Sequence, residues 1–138
     1  MLGVMALRCL IVDDNPDVLR TASELLSSEG LTIVGVARNG DEAMELLRSA
    51  LIDVALVDID LGSESGLNLT RSLAQGAETS SVRTILISTH DEGEYADLIA
   101  ESPALGFLSK ADLSAASVCG LLRAGGEGRG PTEPRGTL

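Results

Sequence analysis

Several polar side chains of this sequence come directly after short apolar runs, and together they could do chemistry. They are four carboxylates, one hydroxyl and one ammonium, from Asp13, Asp14, Asp58, Asp60, Ser88 and Lys110. If the apolar runs are parallel strands, their carboxyl ends meet at one edge of a sheet, where ligands bind. Carboxylates placed so closely repel one another unless a cation neutralises them. We therefore expect a metal site there, and oxygen ligands favour Mg²⁺ or Mn²⁺.

One aspartate in such a site could act as a nucleophile, because a carboxylate can attack phosphorus and form an acyl phosphate. Phosphoryl transfer mainly requires positive charge and hydrogen-bond donors around the transferred oxygens, so a metal ion, a lysine and a hydroxyl beside one Asp are sufficient. Lys110 is the only lysine among the ten basic residues, which is consistent with a need for a compact point charge. An aspartate at a strand end can also simply cap the next helix. The whole set nevertheless favours a phosphoryl acceptor.

Alternating strands and helices must position these residues. The apolar runs predict five buried strands, separated by segments with helical spacing. The strands are Leu7 to Val12, Leu31 to Val36, Val54 to Val57, Thr84 to Ser88, and Leu105 to Ser109. This alternation implies parallel pairing and right-handed crossovers. We therefore expect a doubly wound α/β fold with helices on both faces of one sheet.

Capping residues and turn residues indicate where the helices begin and end. Asn15 and Pro16 favour the start of the first helix, and Gly30 favours its end. Asn39 and Gly40 open the second helix. The later helices are expected at Leu67 to Gln75, from the capping-box pair Asp91 and Glu94 to Pro103, and from about Asp112 to Arg123.

The length, composition and net charge of the chain limit the kinds of protein to which it can belong. A length of 138 residues fits one domain, which we assign to residues 7–123, and the Gly- and Pro-containing residues 124–138 are interpreted as a disordered tail or a truncated linker. The net charge of −11 repels nucleic acids and anionic lipids, so we expect no direct binding to either. No segment is typical of a signal peptide or a membrane span. Cys9 and Cys119 are expected to be reduced thiols, and we expect a cytoplasmic location.

The motifs resemble the receiver domain of two-component response regulators, over about residues 7 to 123. The resemblance rests on an acidic pair after the first strand, an acceptor loop after the third, and short motifs at the fourth and fifth strands. These segments are Leu10-Ile11-Val12-Asp13-Asp14-Asn15, Val57-Asp58-Ile59-Asp60-Leu61 with the later Gly66, Ile85-Leu86-Ile87-Ser88, and Gly106-Phe107-Leu108-Ser109-Lys110. The implied fold is a flavodoxin-like five-stranded sheet of order 2-1-3-4-5.

The resemblance also implies a role for each carboxylate. Asp58 would be the phosphoacceptor and would also bind the metal. Asp14 would bind the metal directly, and Asp13 would do so largely through water. The backbone carbonyl of Asp60 would be a further metal ligand.

Three other residues inherit roles in the phosphorylated state. Lys110 would pair with a phosphoryl oxygen, and the Ser88 hydroxyl would move toward the phosphoryl group on Asp58. Phe107 would fill the space that Ser88 leaves, which would alter the surface formed by the fourth helix, fifth strand and fifth helix.

The chain departs from the family pattern at a few positions around the site. Ala111 follows the lysine where many receivers have a proline joined by a cis bond, which is unfavourable before other residues. Gly62 stands where Pro is frequent, and Thr89 stands where Ala or Gly is common. Asp60 and His90 occupy variable positions that tune hydrolysis of the acyl phosphate in this family.

The resemblance implies a signalling module that accepts a phosphoryl group from a histidine kinase or phosphotransfer protein and then binds a downstream protein or output domain. It is also compatible with the formation of a homodimer. Self-phosphorylation and autodephosphorylation would be its only catalysis. One alternative is a receiver-like scaffold that is never phosphorylated. Another is a haloacid dehalogenase-type phosphatase, because Asp58-Ile59-Asp60 also matches Asp-x-Asp. A third is a receiver cut from a longer transcription factor.

Overall fold

The computed structural model of the chain describes residues 7–89 and 96–128, with side chains as far as residue 124. Its strands are β1 (Arg8–Val12), β2 (Thr32–Ala37), β3 (Val54–Asp58), β4 (Asp60–Leu61), β5 (Glu64–Ser65), β6 (Arg83–Ser88) and β7 (Gly106–Ser109). Its helices are α1 (Pro16–Ser28), α2 (Gly40–Ser49), α3 (Gly66–Gln75), α4 (Ala96–Glu101) and α5 (Ala115–Gly128).

Five parallel strands form the main sheet in the order β2-β1-β3-β6-β7. The two short strands, β4 and β5, pair with each other as a separate antiparallel hairpin. If this hairpin is not counted, the order is 2-1-3-4-5, which confirms the predicted flavodoxin-like topology. All five predicted strands are present, and each of their ends lies within one residue of the prediction.

Strand β2 lies at one edge of the sheet and pairs irregularly with β1. Cys9 pairs with Ile33, but the next residue, Leu10, pairs with Gly35. Val34 therefore has no partner in β1, so that β2 contains a bulge.

Helices cover both faces of the sheet, because successive side chains of a strand point to opposite faces. In β1, Leu10 and Val12 join an apolar cluster covered by α2 and α3. Cys9 and Ile11 join a second cluster covered by α1 and α5. Burial of one aliphatic side chain contributes about 1.5–3 kcal/mol to folding. The two clusters explain how a chain with one Phe and no Trp forms a core.

The first two helices begin at the predicted caps. The Asn15 side chain accepts a hydrogen bond from the Asp17 N–H at 2.9 Å, with Pro16 in the first turn. The Asn39 side chain accepts one from the Glu42 N–H, also at 2.9 Å. These bonds satisfy backbone donors that would otherwise have no partner at a helix start.

The predicted start of the last helix at Asp112 is wrong. A short 3-10 turn occupies Lys110–Asp112, and α5 begins at Ala115. The cause is local, because Ser114 and Ser117 form a reciprocal cap in which each backbone N–H donates to the other's Oγ at 3.0 Å. The Ser-based pair acts as a capping box, with Ser117 in the place that Glu or Gln usually takes.

Several predictions concern parts of the chain at the margins of the described residues. The predicted capping box of Asp91 and Glu94 lies outside them, as do residues 129–138 of the predicted tail. Helix α5 extends to Gly128, beyond the expected end at Arg123. In the described part of the chain, no helix has the length and apolar character needed to cross a membrane.

Candidate functional site

Two buried aspartates lie side by side at the carboxyl edge of the sheet. Asp13 directly follows β1, and Asp58 is the last residue of β3. These strands are neighbours, and the pairing of Val12 with Val57 brings the two aspartates to the same level of the sheet. The residues are 0% and 6% exposed, respectively. Two carboxylates in so little solvent require a positive charge nearby.

Lys110 supplies that charge from the end of β7. Its Nζ lies 2.6 Å from Oδ2 of Asp13 and 3.1 Å from Oδ2 of Asp58, and its side chain is 16% exposed. Burial lowers the pKa of Lys110, but the contacts with Asp13 and Asp58 outweigh burial and raise the pKa above its ordinary value. The lysine is therefore a fixed cation between the two carboxylates.

The carboxyl group of Asp58 has a raised pKa in this setting. Burial, followed by the charge of Asp13, raises its pKa to about 6, although Lys110 and the Asp60 backbone N–H act in the opposite direction. Its Oδ1 accepts a hydrogen bond from the Asp60 N–H at 3.2 Å, and its Oδ2 accepts one from Lys110 at 3.1 Å. One lysine thus compensates the two buried carboxylates only in part.

The carboxylate of Asp14 is the third in the site, and it gives the site a net negative charge that suits a divalent cation. Asp13, Asp14 and Asp58 each offer a carboxylate oxygen within 4.8 Å of the other two. Three carboxylates and one ammonium leave two negative charges when all are ionised. Moreover, Oδ2 of Asp13 is buried and lies 2.6 Å from the Lys110 ammonium, with which it forms an ion pair. An all-oxygen site of this charge fits Mg²⁺.

Asp13 and Asp14 differ in their surroundings, although they are adjacent. Asp13 is buried, and its Oδ1 accepts a hydrogen bond from the Asn15 N–H at 2.9 Å. Asp14 is exposed. Asp13 is therefore part of the folded core as well as of the site, whereas Asp14 is free to serve the site alone.

Gly62 lies against the Asp14 carboxylate. Its φ is +75°, and a Cβ at this position would lie 2.9 Å from Oδ2 of Asp14. Proline cannot occupy such a position because its ring fixes φ near −65°. The departure from the family pattern at this position thus has a physical reason, since the backbone turns in a way that favours glycine.

The acceptor loop between β3 and α3 contains a hairpin that the sequence did not predict. Asp60 and Leu61 pair with Ser65 and Glu64 in an antiparallel ladder. Two-residue strands are too short to produce a recognisable alternation of apolar and polar residues, so the hairpin's strands could not be predicted from the sequence pattern. The one available signal was the turn-forming pair Gly62-Ser63 at its tip.

The Asp60 side chain does not join the carboxylate cluster. It is exposed, and its Oδ1 accepts a hydrogen bond from the Gly62 N–H at 3.1 Å within the hairpin. A haloacid dehalogenase-type phosphatase would need this carboxylate beside Asp58 as a general acid. The hairpin instead commits it to the turn, which argues against that alternative and leaves only the backbone carbonyl of Asp60 as a candidate ligand.

Gly66 closes the loop against Asp58. Its N–H donates to the Ile59 carbonyl at 2.8 Å, and a Cβ at this position would overlap the backbone carbonyl of Asp58. Any other residue would push α3 away from the end of β3. The family glycine at this position therefore has a packing role in this chain.

The two residues predicted to form the switch end up on neighbouring strands. Ser88 is the last residue of β6 and is 2% exposed, and β6 pairs with both β3 and β7. Phe107 in β7 is half-buried and packs against the cluster under α2 and α3. Thr89 is exposed, and His90 lies outside the described residues. No cis peptide bond is present among residues 7–89 and 96–128, so the bond before Ala111 is trans.

Comparison with known proteins identifies the family. Residues 9–116 match the family model described as the response regulator receiver domain. The response regulator UvrY of Escherichia coli K12 is 31% identical over 102 residues, which cover 73% of this chain and 46% of UvrY. Protein PilH of Pseudomonas aeruginosa is 35% identical over 85 residues, which cover 62% of this chain and 69% of PilH.

A solved structure agrees in both fold and sequence. The signal receiver domain of NarL from Mycobacterium tuberculosis has a TM-score of 0.71 and 30% identity, over 87% of this chain and 96% of that domain. The present chain spans a little under half the length of UvrY, so the match concerns one domain of that relative. From its strand order, its acidic edge and these matches, the chain belongs to the response regulator receiver domain family.

Proposed function

We propose that the domain accepts a phosphoryl group on Asp58 from a histidine kinase or phosphotransfer protein, in a reaction that requires Mg²⁺. One observation carries this proposal: Lys110 Nζ lies between Oδ2 of Asp13 and Oδ2 of Asp58, with Asp14 completing the acidic cluster. The proposed domain boundary remains residues 7–123, with residues 124–138 as a tail or linker. The proposed location is the cytoplasm.

The residues of the chain would divide the chemistry among them. A carboxylate oxygen of Asp58 attacks the phosphorus of a phosphohistidine, so that a P–O bond forms, the P–N bond breaks, and the imidazole leaves with the electron pair and is then protonated. Bound Mg²⁺, or Mn²⁺, would supply charge neutralisation at the phosphoryl oxygens. Its ligands would be Asp14, Asp58 and the Asp60 carbonyl, with Asp13 acting through water.

Lys110 would change partners during the reaction. In the unphosphorylated domain it neutralises Asp13 and Asp58. Transfer places new negative oxygens beside it, and the ammonium would then bind one of them. Ser88 would donate its hydroxyl to another, and Phe107 would move into the space that Ser88 vacates. The surface of α4, β7 and α5 would change as a result and would bind a downstream protein, an output domain or a second copy of the chain.

The approach of a phosphodonor protein is supported by the shape of the surface beside Lys110. An apolar hollow of about 400 Å³ adjoins this residue, and its walls include Val18 and Leu25 of α1 and Ala111 and Leu113 after β7. An apolar side chain of a partner helix could enter it while the phosphohistidine reaches Asp58. The net charge of −11 argues against nucleic acid as a direct partner.

A mass measurement tests the proposed function. Wild type and Asp58→Asn are incubated with acetyl phosphate and Mg²⁺, and intact masses are compared. Wild type should gain one phosphoryl group, the variant should gain none, and EDTA should abolish the gain. An equal gain in both proteins would defeat the assignment of Asp58. Absence of any gain in wild type, with a cognate kinase as well, would favour the non-phosphorylated scaffold.

A further inference from the structure

The acceptor-loop hairpin is tied to a helix on the far side of the loop. The carboxylate of Glu64 in β5 reaches α2, where its Oε1 accepts a hydrogen bond from the Gly40 N–H at 2.9 Å. The two residues are 24 positions apart in sequence. Gly40 is the first residue of α2, so its N–H is one of the donors that have no partner within the helix.

The hairpin determines the positions of two groups that face the acidic cluster. The Asp60 N–H donates to Oδ1 of Asp58 at 3.2 Å, and this bond sets the distance between the hairpin and the acceptor. At the tip, the Gly62 Cα faces the Asp14 carboxylate closely enough that a Cβ would lie 2.9 Å from its Oδ2. A shift of the hairpin would therefore move the Asp60 carbonyl and change the room available to Asp14.

The hairpin has few internal means of keeping its position. A two-residue ladder is marginal by itself in water, and β4 and β5 have only two residues each. The bond from Gly40 to Glu64 is exposed, so solvent screens the charge of the carboxylate, and the hydrogen bond itself provides the tie to α2. Since α2 packs on the sheet, Glu64 connects a weak element to a rigid one.

We propose that Glu64 is a positioning residue for the metal site. By accepting the Gly40 N–H, it holds the β4–β5 hairpin where the Asp60 carbonyl and the Asp14 carboxylate can bind Mg²⁺ together. This inference rests on the proposed function, because it assigns Glu64 to the Mg²⁺ site of that reaction. The carboxylate itself does not touch the metal.

A set of variants separates this role from charge and from general stability. Glu64→Gln keeps an oxygen acceptor and loses the charge, Glu64→Asp keeps the charge but is one methylene shorter, and Glu64→Ala loses both. Glu45→Ala is the matched control, because Glu45 is exposed on α2 and its loss removes the same charge. Mg²⁺ dissociation constants are measured for each full-length chain by NMR titration, and unfolding by urea is followed in parallel.

The expected pattern follows the hydrogen bond and not the charge. Glu64→Ala and Glu64→Asp should bind Mg²⁺ about tenfold more weakly, as is typical when a group that orients a metal ligand is lost. Glu64→Gln and Glu45→Ala should stay within about twofold of wild type, which is smaller than the effect of losing an orienting group. The Gly40 amide resonance should shift in the Ala and Asp variants and remain near its wild-type position in the Gln variant.

Three results would overturn the inference. They are equal Mg²⁺ affinity in wild type and Glu64→Asp, a Gln variant as weak as the Ala variant, and a loss of unfolding free energy in Glu64→Ala with no change in Mg²⁺ affinity. If Glu64→Ala does not fold, the Mg²⁺ affinities of Glu64→Gln and Glu64→Asp still test the inference. Failure of the proposed function is detected separately, because Asp58 in wild type would then gain no phosphoryl group.

Discussion

Lys110 Nζ lies closer to Oδ2 of Asp13, at 2.6 Å, than to Oδ2 of Asp58, at 3.1 Å. The shorter contact of the lysine is thus with Asp13, the fully buried carboxylate. This arrangement leaves Asp58 incompletely neutralised, in agreement with its raised pKa of about 6. The ammonium is already in place beside Asp58, where the proposed reaction would need it.

The two adjacent aspartates should separate in their effects on stability. Asp13→Ala removes one of the two carboxylate partners of Lys110 and the acceptor of the Asn15 N–H, so we expect a loss of about 1–3 kcal/mol of unfolding free energy in EDTA. Asp14→Ala removes an exposed side chain and should change stability by less than about 0.5 kcal/mol. Urea denaturation measures both, and equal stabilities of the two variants would contradict the structural role of Asp13.

For Mg²⁺ binding, we expect the opposite order of effects for substitutions at Asp13 and Asp14. Since Asp13 is held by Lys110 while Asp14 is free to bind, Asp14→Ala should weaken Mg²⁺ binding more than Asp13→Ala. NMR titration with Mg²⁺ measures both dissociation constants. Affinities equal to that of wild type in the two variants would rule out the site.

The stability of the metal-free domain should depend on the protonation of Asp58. Its pKa rises from 3.8 to about 6 on folding, so the folded state binds the proton more tightly than the unfolded chain. The resulting stabilisation is complete below the unfolded pKa and is lost as the pH rises through about 6. Asp58→Asn removes this dependence. The variant should therefore gain stability relative to wild type between pH 4 and pH 7, by on the order of 2 kcal/mol.

Urea denaturation in EDTA at several pH values measures that difference. Groups other than Asp58 titrate in both proteins, so the difference between the two curves isolates Asp58. Added Mg²⁺ favours the carboxylate and should reduce the gap at neutral pH. A gap that stays constant from pH 4 to pH 7 would show that the Asp58 pKa is not raised by folding.

Lys110→Arg should separate phosphorylation of Asp58 from the conformational change at Ser88 and Phe107. The ammonium occupies a narrow space between two carboxylate oxygens, and the planar guanidinium is wider than an ammonium. We expect the variant to accept a phosphoryl group on Asp58, because Mg²⁺ still supplies most of the positive charge, but to fail to transmit the change to Ser88 and Phe107. Amide chemical shifts of α4 and β7 are compared at matched phosphorylation. The full wild-type shift pattern in the variant would mean that Lys110 acts as a charge alone.

Gly62→Ala should cost both stability and metal affinity. Its positive φ makes an L side chain unfavourable by about 1–2 kcal/mol, and the new Cβ would press on the Asp14 carboxylate. Gly30→Ala is the matched control, because φ there is +106° and a Cβ would meet nothing within 4 Å. Urea denaturation should show losses in both variants, whereas only Gly62→Ala should weaken Mg²⁺ binding. A similar loss of affinity in both would point to a general effect of destabilisation.

Both the topology and the convergence of the charged residues could be predicted from the sequence, because the second follows from the first. Once alternating strands and helices imply a parallel sheet, residues that follow the strands must share one edge, and Asp13, Asp58 and Lys110 do so. The ion pair between Asp13 and Lys110 was not predicted, because the choice among neighbouring carboxylates depends on rotamers and burial. The start of α5 lies three residues after the predicted Asp112, because the reciprocal bonds of Ser114 and Ser117 cap the helix there, and the sequence pattern alone does not show which of several polar residues makes the cap.

The bulge at Val34 has a consequence for contacts between molecules. Strand β2 is an edge of the sheet, and its Val36 is 42% exposed. A regular edge strand with such a side chain would be a template onto which a strand of another molecule could add. The extra residue bends β2 and interrupts its regular row of backbone donors and acceptors. The irregularity thus makes β2 a poorer template for a strand of another molecule than a regular edge strand would be.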